Sequence, residues 1–144
     1  MATFSGGCLC GAVRYECAGE PMGGGHCYCL DCRRSSGSDH CSHLVVPKAA
    51  VAVTGEVTTF ERPADSGNLI TRAFCPRCGA PVYSTNSGAT EMLFLRVSSL
   101  DDPDVFRPQM IVFASRAPSW ARLDETLTTF PGMAPPEARP IAMD

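Results

Sequence analysis

"TRAFCPRCGAPVYST", residues 71–85, is the stretch on which the fold turns. Two β-favouring arms, 71–75 and 80–85, flank Cys75-Pro76-Arg77-Cys78-Gly79, so the segment reads as a hairpin whose turn is a metal knuckle. Pro76 presets the turn, and a glycine after the second cysteine readily takes the positive φ that such a turn needs. Two thiols at a hairpin tip are half of a tetrahedral site. The other half is "CLCG", residues 8–11, more than sixty residues upstream. Side chains at i and i+2 of an extended segment point the same way, which lets Cys8 and Cys10 offer both sulfurs to one ion. Four thiolates at about 2.3 Å from the metal are the closed arrangement of structural zinc. Closing so long a loop also removes much unfolded-chain entropy. Buried apolar cysteines or a redox pair are the competing explanation, disfavoured because each pair is followed by glycine. A Cys-Pro-x-Cys-Gly knuckle also serves iron, but zinc is favoured because the cysteines divide into one closed set and one incomplete set.

The incomplete set lies in "HCYCLDCRRSSG", residues 26–37, where Cys27, Cys29 and Cys32 supply three thiols, one short of a closed tetrahedron. Catalytic zinc keeps three protein ligands and leaves the fourth position to water or substrate. His26 points away from Cys27 if the segment is extended, which makes it a poor ligand for the same ion. His40, Cys41 and His43 are further candidates to complete the set, each disfavoured by its loose spacing; Cys41 and His43 are sterically possible, so the spacing does not decide between an open and a filled fourth position. A zinc with a free position can hold an incoming thiol as thiolate or polarise a carbonyl oxygen. Three thiolates leave it with a net charge of −1, which favours delivery of the nucleophile over strong carbonyl activation. Arg33 and Arg34 follow directly and are candidates for pairing with a substrate carboxylate, with solvated surface as the bland alternative. Ser35 and Ser36 either offer hydroxyls to a ligand or cap a short helix.

The rest of the chain bounds these readings. Its 144 residues are about one domain's worth, with 44% hydrophobic and 19% charged residues. A net charge of −3 argues against a nucleic-acid or anionic-membrane partner, since phosphate neutralisation needs clustered Lys and Arg. There is no apolar run near the roughly 18 residues that a membrane span requires. Nine cysteines is an odd count with no export signal visible before them, so metal thiolates in a reducing cytoplasmic setting are a better expectation than disulfides. Strands dominate: residues 12–17, 43–47, 50–55 and 56–62 alternate or are β-branched, and 91–99 and 109–115 are apolar runs that fit central strands. Helix is confined to a turn or two after Cys32 and to residues 117–124, opened by Pro118. Arg72 and Arg96 sit in apolar strands and call for partners, with the Asp101-Asp102 turn as the simplest source. Trp120 is expected to pack in the core, and Cys17 to be a small buried hydrophobe. A single domain over 1–132 followed by a proline-rich tail over 133–144, extended or disordered, completes the organisation.

The order "GGCLCGAVRYE", "CYCLDCRRSSGS", "FCPRCGAPVY", "SSLDDPDVFRPQM", "ASRAPSWARLDETLTTFPG" resembles the family of glutathione-dependent formaldehyde-activating enzymes, which also includes centromere protein V. The resemblance runs from about residue 4 to residue 132. It implies a mainly β fold of the β-tent type, with antiparallel sheets and very little helix. It also implies two Zn²⁺ per chain, a structural one on Cys8, Cys10, Cys75 and Cys78 and a catalytic one on Cys27, Cys29 and Cys32. The activity implied is that of a carbon–sulfur lyase, joining glutathione or a similar thiol to formaldehyde or another small aldehyde. Two alternatives from other classes are a non-catalytic zinc module that binds proteins and a thiol or zinc buffer. Many members of the family read Cys-His-Cys at the second site, whereas this chain has Tyr28 there and His26 one place earlier.

Overall fold

The structure, a computed structural model, describes residues 3–139. Its strands are β1 (Thr3–Gly7), β2 (Arg14–Ala18), β3 (Gly23–Cys27), β4 (Cys41–Pro47), β5 (Val51–Thr54), β6 (Thr58–Pro63), β7 (Leu69–Phe74), β8 (Pro81–Asn86), β9 (Met92–Arg96), β10 (Met110–Val112) and β11 (Thr128–Thr129). The one α-helix among the described residues, α1 (Leu30–Ser36), joins β3 to β4. A small sheet, β1-β2-β5, packs on a large one ordered β11-β10-β3-β4-β9-β8-β7-β6. Neighbours are antiparallel except at β10, which runs parallel to both β3 and β11. The chain is thus mainly β, with two mostly antiparallel sheets.

Alternation decides which face each strand buries. Val13, Tyr15 and Cys17 from the small sheet meet Leu44 and Val46 of β4 and Leu93 and Leu95 of β9 in a single core, which extends to Cys8 and Cys75. The intervening residues His43, Val45 and Phe94 face the opposite side of the large sheet and line a cavity. Tyr15 carries the core's main polar link: its hydroxyl lies 2.7 Å from Ser99 Oγ, which donates to the Arg96 carbonyl at 2.6 Å. Cys17 is fully buried, as expected of a small hydrophobe.

The hairpin of residues 71–85 forms as β7 and β8, with a bulge at Ala73/Phe74 just before the knuckle. Gly79 has φ +75 with open space where a Cβ would stand, so glycine is required there for its backbone conformation alone. In β3 the requirement is steric. A Cβ on Gly24 would come within 2.2 Å of the His43 carbonyl, and one on Gly25 within 2.3 Å of the Met110 carbonyl.

Several expectations are corrected. Residues 109–115 do not form a central strand: β10 has three residues and lies second from the sheet edge, because Phe113 enters the left-handed region at φ 56 and a 3-10 turn, Ala114–Arg116, follows. Residues 117–124 form turns and no helix, because the chain must reverse there so that Phe130 can donate to the Ile111 carbonyl at 2.9 Å. Trp120 is 68% exposed and lies outside the core. Of the proline-rich segment 133–144, residues 140–144 fall outside the described part. Residues 133–139 contain a short 3-10 turn, bury Ala134 to 1% exposure and help wall the cavity.

Candidate metal centres and an adjoining cavity

The loop from β1 to β2 and the knuckle from β7 to β8 bring Cys8, Cys10, Cys75 and Cys78 together, with all four sulfurs within 4.8 Å of one another. A tetrahedron with metal–sulfur distances of about 2.3 Å has edges of about 3.8 Å. The Cys8–Cys10 and Cys10–Cys75 sulfur separations are 3.7 and 3.8 Å, so the set already has the dimensions of a zinc tetrathiolate. Cys8 and Cys10 lie in a turn just past β1 instead of in an extended strand. The turn aims backbone at the sulfur: Val13 N–H donates to Cys8 Sγ at 3.2 Å, and across the site Arg77 N–H donates to Cys75 Sγ at 3.3 Å. Burial raises the Cys8 thiol, but the Val13 N–H and the three neighbouring thiols outweigh it and hold Cys8 down at about 6, while Cys10 is pushed up to about 11. Four thiols packed this closely, with backbone N–H groups aimed at two of them, are a donor set that a metal can deprotonate and hold.

The second cluster forms where β3, α1 and β4 meet. Cys27 ends β3, Cys29 caps α1 with its sulfur accepting from Cys32 N–H at 3.3 Å, and Cys32 lies in the first turn of α1. Their sulfurs are mutually within 4.8 Å. The Cys27 and Cys29 thiols lower Cys32 to about 5, and the same contacts push Cys27 far up. Three thiolates so close together repel one another, so the trio is a donor set suited to a divalent ion. The fit to a metal therefore holds at both clusters.

Of the candidates that spacing disfavoured, the structure brings Cys41 and His43 beside this trio. Cys41 is the Cα partner of Cys27 across β3 and β4, and His43 is two residues further along the same face of β4. Cys32, Cys41 and His43 form an overlapping donor set. The signal that finds them is period-2 alternation along β4 once its register against β3 is known. His26 does turn away: its Nδ1 lies 2.7 Å from Ser42 Oγ. Tyr28 also faces away from the sulfurs, 3% exposed and stacked on His40 with ring centroids 5.0 Å apart. His40 in turn is 2.6 Å from Asp39 Oδ1.

Cys27, Cys29 and Cys32 line a cavity of about 650 Å³ on the open face of the large sheet; the four-thiol cluster does not. Ion pairs brace its walls: Arg62 Nε lies 3.5 Å from Asp31 Oδ2, and Arg116 Nη2 lies 3.1 Å from Asp65 Oδ2. Arg33 and Arg34 stand in the last turn of α1 and do not line the cavity. Arg72 does, and among the described residues it has no ion pair. The Asp101 turn was expected to pair with Arg72 or Arg96; it pairs with Arg14 instead, Nη1 donating to Asp101 Oδ1 at 3.0 Å. Arg96, 2% exposed, donates to Ser35 Oγ, and together with Arg72 it helps to lower Cys41, after the larger effect of the Cys32 contact.

A family model described as glutathione-dependent formaldehyde-activating enzyme matches residues 3–116, most of the chain. None of the curated proteins compared matches. Among solved structures, the crystal structure of a Rhodobacter sphaeroides protein from structural genomics superposes with a TM-score of 0.54 at 21% identity, covering 67% of this chain and 87% of that one. At that identity the likeness is one of fold.

Proposed function

The chain belongs to the family of glutathione-dependent formaldehyde-activating enzymes, and from that premise we propose that it is a zinc-dependent carbon–sulfur lyase joining a thiol such as glutathione to formaldehyde or another small aldehyde. One observation carries this reading: of the two thiol clusters, the three-member one, a donor short of a tetrahedral set, lines the large cavity, and the four-member one, which supplies a full set, does not. In this reading Cys8, Cys10, Cys75 and Cys78 hold a structural Zn²⁺, and Cys27, Cys29 and Cys32 hold a second that takes part in the reaction. When bound there, zinc supplies positive charge that favours an incoming thiolate and polarises an aldehyde oxygen.

In the reaction the thiol gives up its proton, its sulfur bonds to the carbonyl carbon, and the carbonyl oxygen takes up a proton to become a hydroxyl. The cavity volume of about 650 Å³ lies within the range typical of small-molecule sites. Arg72, on its wall and without an ion pair among the described residues, is suited to a carboxylate of a peptide-like thiol, a role that the sequence suggested for Arg33 and Arg34. Gly24 and Gly25 supply a floor of bare backbone, and Phe94, Val112 and Phe113 exclude water around the reacting atoms. Cytoplasmic residence accords with nine cysteines that are all free.

Cys29→Ser tests the reading. The variant should lose the ion of the three-cysteine cluster, keep that of the four-cysteine cluster, and lose formation of the S-hydroxymethyl thiol. Loss of the second ion with turnover unchanged would show that the cluster is not the reactive centre.

A further inference from the structure

Cys32 belongs to two donor sets at once. Its sulfur stands with Cys27 and Cys29, and also with Cys41 Sγ and a ring nitrogen of His43, in a second triad whose ligand atoms are all within 4.8 Å of one another. Cys32 Sγ is 3.5 Å from His43 Nε2. The five donors fall into two overlapping sets instead of one, and a tetrahedral ion has no place for five. We infer that Cys32, Cys41 and His43 form a further soft-cation site beside the three-cysteine site, with the Cys32 sulfur bridging two ions. The inference rests on the reading of Cys27, Cys29 and Cys32 as a zinc site.

Four features of the fold carry it. Cys41 and His43 alternate along β4, opposite Cys27 and Gly25, so both side chains stand on the face that carries Cys27. Cys41 is 4% exposed, and beyond the neighbouring Cys32 thiol its sulfur reaches only the Ser42 carbonyl, at 3.9 Å. The His43 Nδ1 is buried without a hydrogen-bond partner, while Nε2 faces a sulfur, the orientation of an imidazole whose use lies on its Nε2 side. Two sulfurs and one imidazole nitrogen are the donor class of zinc and other thiophilic ions. Charge also balances: four thiolates offset two divalent ions, and a lone ion would leave the buried group at −2. His43 lines the cavity, so a ligand bound there reaches the neighbourhood of both ions.

The experiment is a metal count. Protein purified with zinc, equilibrated with excess zinc and freed of unbound ion by gel filtration should carry three ions per chain, one for each donor set. Cys41→Ala and His43→Ala should each carry two. Two ions in the unmodified protein, or three in both variants, would overturn the inference. So would a fall to one ion, which would mean that these residues serve the same ion as Cys27 and Cys29. A second readout needs no variant: cobalt ions that share a thiolate couple magnetically, so the cobalt-loaded protein should give less paramagnetic signal than its cobalt content. Full intensity with all sites filled would contradict the bridge. Failure of the lyase reading looks different, as unchanged turnover in Cys29→Ser whatever the metal count.

Discussion

Arg96 Nη2 donates to Ser35 Oγ at 2.9 Å across sixty-one residues of sequence, tying the interior of β9 to the helix that carries Cys32. Ser35 in turn donates to the Cys32 carbonyl at 3.2 Å, so two hydrogen bonds link a buried cation to a cysteine of the second cluster. An unpaired charge in such a place would be costly, and the thiolates nearby are what make it tolerable. Arg96→Met should therefore weaken metal binding at the second cluster by about 10- to 100-fold, the usual effect of removing a group that supports a ligand. Chelator competition on the two ions separately measures it, and the four-cysteine ion should be unaffected.

The two clusters should differ in what they do for folding. Cys75 sits fully buried against the core, and its site ties residue 8 to residue 78, whereas Cys27, Cys29 and Cys32 close a short local loop. A structural zinc contributes about 10–16 kcal/mol, which matches or exceeds the about 5–15 kcal/mol of a whole domain's stability. Cys75→Ser should thus be unfolded or aggregated, and Cys27→Ser should keep its β-sheet circular dichroism and a cooperative melt. Equal loss of melting temperature in both would contradict the division of roles.

Arg72→Gln removes a cavity guanidinium that has no ion pair among the described residues. Hydrogen bonds to charged groups contribute about 1.5–3 kcal/mol, so KM for a carboxylate-bearing thiol should rise about 10- to 100-fold with kcat little changed. A thiol lacking carboxylates should show no such difference between the two proteins. Metal content, measured in parallel, should remain that of the unmodified chain.

The Arg14–Asp101 pair gives a pH prediction. Hydrogen bonds from Arg14 and then from Ser5 hold Asp101 at about 2, below its ordinary value of 3.8. A carboxylate lowered in the folded state stabilises above its unfolded value, and that contribution disappears as pH falls through the folded one. The difference in urea midpoint between the unmodified protein and Asp101→Asn should be present at pH 6 and shrink between about pH 4 and pH 2. Because both side chains are largely exposed, the difference should also shrink in high salt.

What could be read from the sequence follows the range of each interaction. The knuckle at Cys75–Gly79 and the Cys27, Cys29, Cys32 trio are local, and turn chemistry and ligand spacing describe them well. The strand-rich architecture shows in the alternation of 12–17 and 43–47, which the structure uses to divide core from cavity. The partners of Arg14, Arg72 and Arg96 depend on which strands become neighbours, and no spacing records that. The closeness of Cys41 to Cys32 is of the same kind: it follows from the β3–β4 register, with Cys27 opposite Cys41. Trp120 misled for another reason. Size and apolarity describe what a side chain would gain by burial, whereas the turns over 117–124 leave nothing for the indole to pack on.

Gly24 and Gly25 set a limit on how this protein can change. With a methyl group at either position driven into a carbonyl of the neighbouring strand, the bottom of the chamber admits almost no variation. New preferences for bulkier or differently charged compounds must therefore arise from the side chains of the lining, Arg116, Met133 and Arg139 among them. Diversification in this lineage is expected to be a matter of remodelled walls over an invariant base.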